Sequence, residues 1–181
     1  MTEAELGRLL AGAEARGRRL WYLAAALAGL RKSELACLTW GDIDLDSHVL
    51  TIAGGKAKRV DQIPLHPQLA EAFARERPGN ASPQDRVFST VVTDRTRVRD
   101  FERAGIPLVD EHGRVADLHS LRTTLATQLA RQGVPPQIGR LILRHADYRT
   151  TLRHYTALGL EDACQALGRI PQIAGLRDKP A

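Results

Sequence analysis

The segment RHADYRTTLRHYT, residues 144–156, sets two tyrosines among histidines and arginines. A phenol with its ordinary pKa of about 10 is a weak nucleophile unless cations stabilise the phenolate or a base takes its proton. The arginines and the two histidines of this segment would supply such a setting. Tyr155 follows Thr150-Thr151 and lies near His145 in sequence. Tyr148 and Tyr155 are also ordinary packing residues for a helix of this kind.

Other stretches carry related chemistry. In LHSLR, His119 and Arg122 are three residues apart on a predicted helix, roughly 60° apart around it, so both can face one anion. In GLRKSEL, Arg31 and Glu34 can form an i, i+3 ion pair, or Glu34 can orient a guanidinium toward a phosphate. AGGKAKR places Lys56 and Lys58 at a glycine turn, where a mobile ammonium can donate a proton to a leaving oxygen. In TDRTRVRDFERAG, Arg95, Arg99 and Arg103 recur along one helical face, with Arg97 beside them. Such arginines can read bases, hold phosphates, or form a solvated face with Asp94, Asp100 and Glu102.

The composition fits a nucleic-acid partner. Lys and Arg number 26 against 21 Asp and Glu, a net charge of +5. The isoelectric point is near 9.7. Arginine dominates the basic residues, and its planar fork matches phosphate geometry. Hydrophobic residues make up 43% of the 181, which argues against disorder; aromatics are only 4%, so the core should be built of Leu, Ala and Val in helices. Cys37 and Cys164 have no metal-ligand neighbours at short spacing and read as buried thiols in a reducing compartment. With no run of 18 apolar residues and no signal-peptide pattern, a soluble, cytoplasmic protein is expected.

The elements that must position these residues follow from periodicity. Thr2 and Glu5 predict a capping box on a helix ending near Gly17. A second helix runs from Leu20 to Gly29, and a third holds Arg31, Glu34, Leu35 and Leu38. Val49 to Ile52 and Val60 to Leu65 read as a hairpin around Gly54-Gly55. Helices then follow Pro67, cover the arginine-rich segment, and run from Leu118 to Gln132 with Gly133 as the cap. Pro135 and Pro136 open another helix ending near His145, and two short helices start from Thr150. The expected architecture is mainly α with a small antiparallel β-sheet.

Together these motifs resemble the tyrosine recombinase (phage integrase) family, over about residues 2 to 160. GLRKSELACLTWGDIDL is similar to its first arginine box. GGKAKRVDQIPL is similar to its lysine hairpin, with Lys56 eight residues before Pro64. DLHSLRTTLATQLARQGVP and LILRHADYRTTLRHYTAL resemble the two later boxes. Two departures stand out: Arg144 replaces the family's common glycine, and Tyr155 lies ten residues after His145 where nine is common. Nine would fall on His154, which cannot play a tyrosine's part.

The resemblance implies a tyrosine recombinase catalytic-domain fold and a site-specific recombinase or integrase. Arg31 and Arg122 would grip the phosphate and Tyr155 would attack it. Lys56 would protonate the leaving oxygen. His119 would assist proton transfer, His145 would bond the phosphate, and Glu34 would support the arginines. Arg95, Arg97, Arg99, Arg103 and Lys58 would contact DNA. No metal and no cofactor is expected. The partner would be double-stranded DNA, bound as a tetramer on paired sites by a chain monomeric without DNA. The family's N-terminal clamping domain is expected to be absent, leaving one catalytic domain over 1–181 with a tail from about 160. Two alternatives share the fold: a topoisomerase- or resolvase-type outcome of the same chemistry, and a non-catalytic DNA-binding module.

Overall fold

A computed structural model describes residues 1–53, 60–110 and 113–156, together with Gly159 and Cys164. The elements run in the order α1 (Glu3–Glu14), α2 (Arg19–Leu27), α3 (Lys32–Cys37), β1 (Ile43–Asp44), β2 (Val49–Ala53), β3 (Val60–Pro64), α4 (Pro67–Glu76), α5 (Asp94–Arg103), α6 (Leu118–Arg131), α7 (Pro136–Leu143) and α8 (Tyr148–Thr156). The three strands form one antiparallel sheet in the order β1-β2-β3. Leu50 pairs with Ile43 on one side and Ile63 on the other.

The helix starts follow from local chemistry. The Thr2 hydroxyl accepts from the Glu5 amide at 3.2 Å, and the Glu5 carboxylate accepts from the Thr2 amide at 2.6 Å. Asp117 and Ser120 cap α6 in the same reciprocal way. Gly133 takes φ +72° after α6, as expected of a cap glycine. α2 is buried all round from Leu20 to Ala26, so it is the central helix, with α1, α4 and α6 packed against it.

Several expectations need correction. Arg31 is the cap before α3, not a residue within it, and Leu38 lies just past its end. The two-residue β1 has too little sequence for a period to show. The chain from Tyr148 forms one helix, and the second short helix falls mostly outside the described residues. Cys37 and Cys164 are exposed rather than buried. α3 buries Leu35, and Cys37, two residues on, faces the opposite way.

Asp100 on α5 is 5% exposed in this core. Arg18 donates to it from Nε at 2.8 Å and Nη2 at 2.6 Å, and the Tyr22 hydroxyl donates at 2.9 Å. Burial alone would raise the Asp100 carboxyl, but Arg18, Tyr22 and Arg103 outweigh it and hold it below the usual range. Removing one partner of a buried pair costs roughly 3–5 kcal/mol. Arg18 keeps some solvent contact, so Asp100→Asn is expected to cost about 2–3 kcal/mol at pH 7. A lower urea midpoint at constant slope would show it. Because the carboxyl is depressed, its contribution is full above about pH 4 and is lost as pH falls further. Variant and wild-type stabilities should therefore converge in acid.

Candidate active site

The site is built on the C-terminal end of α2. Gly29 leaves the helix at φ +57°, and a Cβ there would lie 3.2 Å from the Leu125 side chain. That bare turn lets the chain pass over α6 with its carbonyl facing inward. Arg122, 2% exposed on α6, donates Nη1 to the Gly29 carbonyl. Arg144 donates Nη2 to the same oxygen at 3.1 Å and Nη1 to the Ala28 carbonyl at 3.3 Å. Carbonyls ending a helix carry partial negative charge, which suits two guanidiniums.

Glu34 ties the arginines together. One carboxylate oxygen accepts from Arg31 Nη1 at 2.7 Å. The other accepts from the Arg31 amide at 2.8 Å and from Arg144 Nη2 at 2.8 Å. Burial pushes the Glu34 carboxyl up, but Arg144 and Arg31 outweigh that and hold it below the ordinary range. Burial, then Arg144 and Arg31, push Arg122 down to about 9, with Glu34 opposing. It remains a cation at neutral pH.

Beside this group lies a cleft of about 560 Å³, lined by Arg31, Lys32, Ser33, His119 and Arg122 among others. Arg122 Nη2 is buried with no hydrogen-bond partner among the described residues. An unpaired buried donor is costly, and an anion in the cleft would satisfy it. The structure thus brings Arg31, Glu34, His119 and Arg122 together. It adds Lys32 and Arg144, which sequence reasoning had not placed in the site. For Arg144 the signal was its departure from the family's glycine.

The histidines approach from α6 (His119), from the turn between α7 and α8 (His145) and from α8 (His154). His145 Nδ1 is 3.0 Å from the Thr151 hydroxyl. The His154 ring stacks on His145 at 6.4 Å, 25° from parallel. Burial first, then Arg122, His154, Arg31 and His119, push His145 down to about 4. His145 is therefore neutral at pH 7 and can accept or donate one bond as its tautomer dictates.

Tyr155 does not join them in this conformation. Thr151, fully buried, marks the inner line of α8. Residues three and four positions on fall on either side of that line, roughly 100° apart. His154 takes the side where Arg122 and His119 act on it. Tyr155 takes the other, where its hydroxyl would lie 2.6 Å from a Cβ at Gly139 of α7. That hydroxyl is buried without a hydrogen-bond partner among the described residues, and burial and Tyr148 raise its pKa.

The remaining candidates divide. Arg95 and Arg99 are exposed on α5 and make no ion pair or hydrogen bond among the described residues. Arg103 is half-exposed, 3.8 Å from Asp100. Arg97 turns inward: it donates to the Ala116 carbonyl and lies 5.6 Å over the Phe101 ring, so its geometry is that of a packing residue. Two residues on from Arg95 and two before Arg99, it faces the opposite side of the helix. Lys56 and Lys58 lie outside the described residues.

The model of the phage integrase family matches residues 1–161. The chain belongs to this family. The tyrosine recombinase XerA of Thermococcus kodakarensis is 31% identical over 169 residues, 89% of this chain and 58% of the relative. This integrase-family chain thus spans under two thirds of that relative's length. Among solved structures, XerA recombinase superposes with a TM-score of 0.72 at 24% identity, over 96% of this chain and 65% of that one. The Tn1549 transposon integrase, solved in complex with transposon right end DNA, gives 0.69 at 19% identity, over 93% and 65%. The fold is that of the tyrosine recombinases, mainly helical with a three-stranded antiparallel sheet.

Proposed function

We propose that the chain is the catalytic part of a site-specific recombinase that breaks and rejoins double-stranded DNA through a 3′-phosphotyrosyl intermediate. The observation that carries this reading is the buried Arg122, which lines one cleft with Arg31 and His119 and whose Nη2 has no hydrogen-bond partner among the described residues. Such a pair can grip the non-bridging oxygens of one phosphate and stabilise the charge gained in the pentavalent transition state. The fit of the chain to the integrase family supports the same reading.

In this mechanism the Tyr155 oxygen bonds to phosphorus and the bond to the 5′ oxygen breaks. The products are a tyrosyl 3′-phosphodiester and a free 5′-hydroxyl. His119 assists removal of the phenolic proton, Lys56 delivers one to the leaving oxygen, and neutral His145 bonds the phosphate. Glu34 holds Arg31 in place. Because Tyr155 rests against Gly139, α8 must re-seat on DNA so that the phenol replaces His154 at the arginines.

A duplex nicked just beyond the cleavage point tests the reading, because loss of the short leaving fragment traps the intermediate. Wild type is expected to form a covalent adduct at undiminished rate in EDTA, since guanidiniums supply the charge that a divalent ion would otherwise provide. Dependence on a divalent ion would overturn this mechanism, and binding without an adduct would leave a DNA-binding module. Two catalytic chains per exchanged site imply a tetramer on paired DNA, assembled from chains that are monomeric alone. Such work places the protein at the nucleoid; among the described residues no helix is long and apolar enough to cross a membrane.

Arg95 and Arg99, the unpaired arginines of α5, are the proposed base readers, with Arg103 and Lys58 on the backbone. A good bidentate contact to guanine gives about 1–3 kcal/mol of discrimination. Arg95→Ala or Arg99→Ala should therefore relax preference at particular base pairs in a binding-site selection. Uniform weakening with a shallower salt dependence would assign them to phosphates instead.

A further inference from the structure

Arg144 sits in a conformation that its side chain disfavours. It caps α7 at φ +53°, in the left-handed region where glycine is at ease and most other residues are strained. Yet the side chain is not left in solvent, as the end of a helix would allow. It folds back beneath the site, where it is 2% exposed and its partner Glu34 is 8% exposed. Its guanidinium binds Glu34, Gly29, Ala28 and its own neighbour Ile142. These contacts join the end of α2, the start of α3 and the end of α7, three segments distant in sequence.

Stability alone does not explain the arrangement. Burying a third guanidinium beside Arg122 and Arg31 adds repulsion and desolvation, and a buried ion pair is a poor stabiliser compared with apolar packing. Arg144 does not line the cleft, so it has no direct route to a bound anion. Its influence runs through shared acceptors. The Glu34 oxygen that it holds also receives the Arg31 amide, and the Gly29 oxygen that it holds also receives Arg122.

We propose that Arg144 is a positioning residue that clamps Glu34 and the Gly29 carbonyl, so that Arg31 and Arg122 are held facing the cleft. This rests on the DNA-cleaving reading given above. Arg144 fixes the two gripping guanidiniums before the phosphate arrives, which lowers the reorganisation needed in the transition state. With Arg144 absent, Glu34 has only Arg31 to hold it, and the aim of both arginines slackens.

The test compares single-turnover adduct formation on the nicked duplex with equilibrium binding to an uncleavable duplex of the same sequence. Arg144→Gln is expected to slow adduct formation on the order of 10²-fold, the effect of a small misplacement of catalytic groups. Affinity should stay within about threefold, because binding is spread over many phosphate contacts. Arg144→Lys should recover about tenfold of the rate, since it keeps the charge and one donor. The Glu34→Gln/Arg144→Gln double variant should be no slower than the slower single variant, because Arg144 acts through Glu34. That double variant removes both members of the Glu34–Arg144 pair, so it and Arg144→Lys decide the matter if Arg144→Gln does not fold. Losses that multiply, a rate within about threefold of wild type for Arg144→Gln, or an effect on affinity alone would overturn the inference. A wild-type chain that forms no adduct would overturn the cleavage reading and the inference with it.

Discussion

Tyr155→Phe should bind duplex DNA with nearly wild-type affinity and form no covalent adduct. Losing the nucleophile removes the reaction itself, and such losses in other enzymes reach about 10⁶-fold. Affinity survives because it rests on phosphate contacts distributed over many basic side chains. The structure adds a second expectation. Among the described residues the buried Tyr155 hydroxyl has no hydrogen-bond partner, so deleting it removes a desolvation cost and no bond to them. The Phe variant should then melt at the same temperature as wild type or slightly above it, up to the equivalent of about 1 kcal/mol. Tyr148→Phe should still form the adduct. An active Tyr155→Phe, or an inactive Tyr148→Phe of normal stability, would remove Tyr155 from the nucleophile's role.

Arg122→Met should separate stability from function in the opposite sense to a core mutation. Arg122 is buried among like charges, with Arg144 and Arg31 lowering its pKa after burial itself. A methionine of similar length removes that repulsion and the unpartnered Nη2, and Arg144 still bonds the Gly29 carbonyl. Replacing a buried ion pair by apolar residues of like volume is often neutral or stabilising by about 1–4 kcal/mol, and Arg122 makes no ion pair among the described residues, so its replacement strands no carboxylate. The thermal midpoint should therefore hold or rise. Adduct formation should fall about 10³-fold, because the transition-state charge loses a preorganised partner. A variant that loses stability while keeping its cleavage rate would make Arg122 a structural residue.

The helices were legible because their apolar residues recur at the helical period and their ends carry Thr2, Pro136 and Gly133. The hairpin was legible from its change of period. Arg31, Glu34, His119 and Arg122 were singled out by type and spacing; the fold brings Arg31, His119 and Arg122 to one cleft and bonds Glu34 to Arg31. Other features depend on what meets each side chain in space. Arg97 carries the same residue type as Arg95 and Arg99, yet its place around α5 turns it onto Phe101. Cys37 reads as apolar, but a helix as short as α3 has one buried face and leaves it outside. Arg144 breaks the glycine pattern, and only its buried partners show what the arginine does there. The ten-residue spacing from His145 to Tyr155 has a geometric result that no motif conveys: His154 faces the arginines and Tyr155 faces α7.

That last arrangement makes the attachment point of the DNA the most direct test. Wild-type protein would be trapped on the nicked duplex, digested with protease and nuclease, and the peptide carrying the residual nucleotide sequenced by mass spectrometry. The account predicts an acid-stable phosphodiester on Tyr155, at the 3′ end of the cleaved strand. A nucleotide on Tyr148, an acid-labile phosphoramidate on His154, or a linkage to the 5′ end would contradict it.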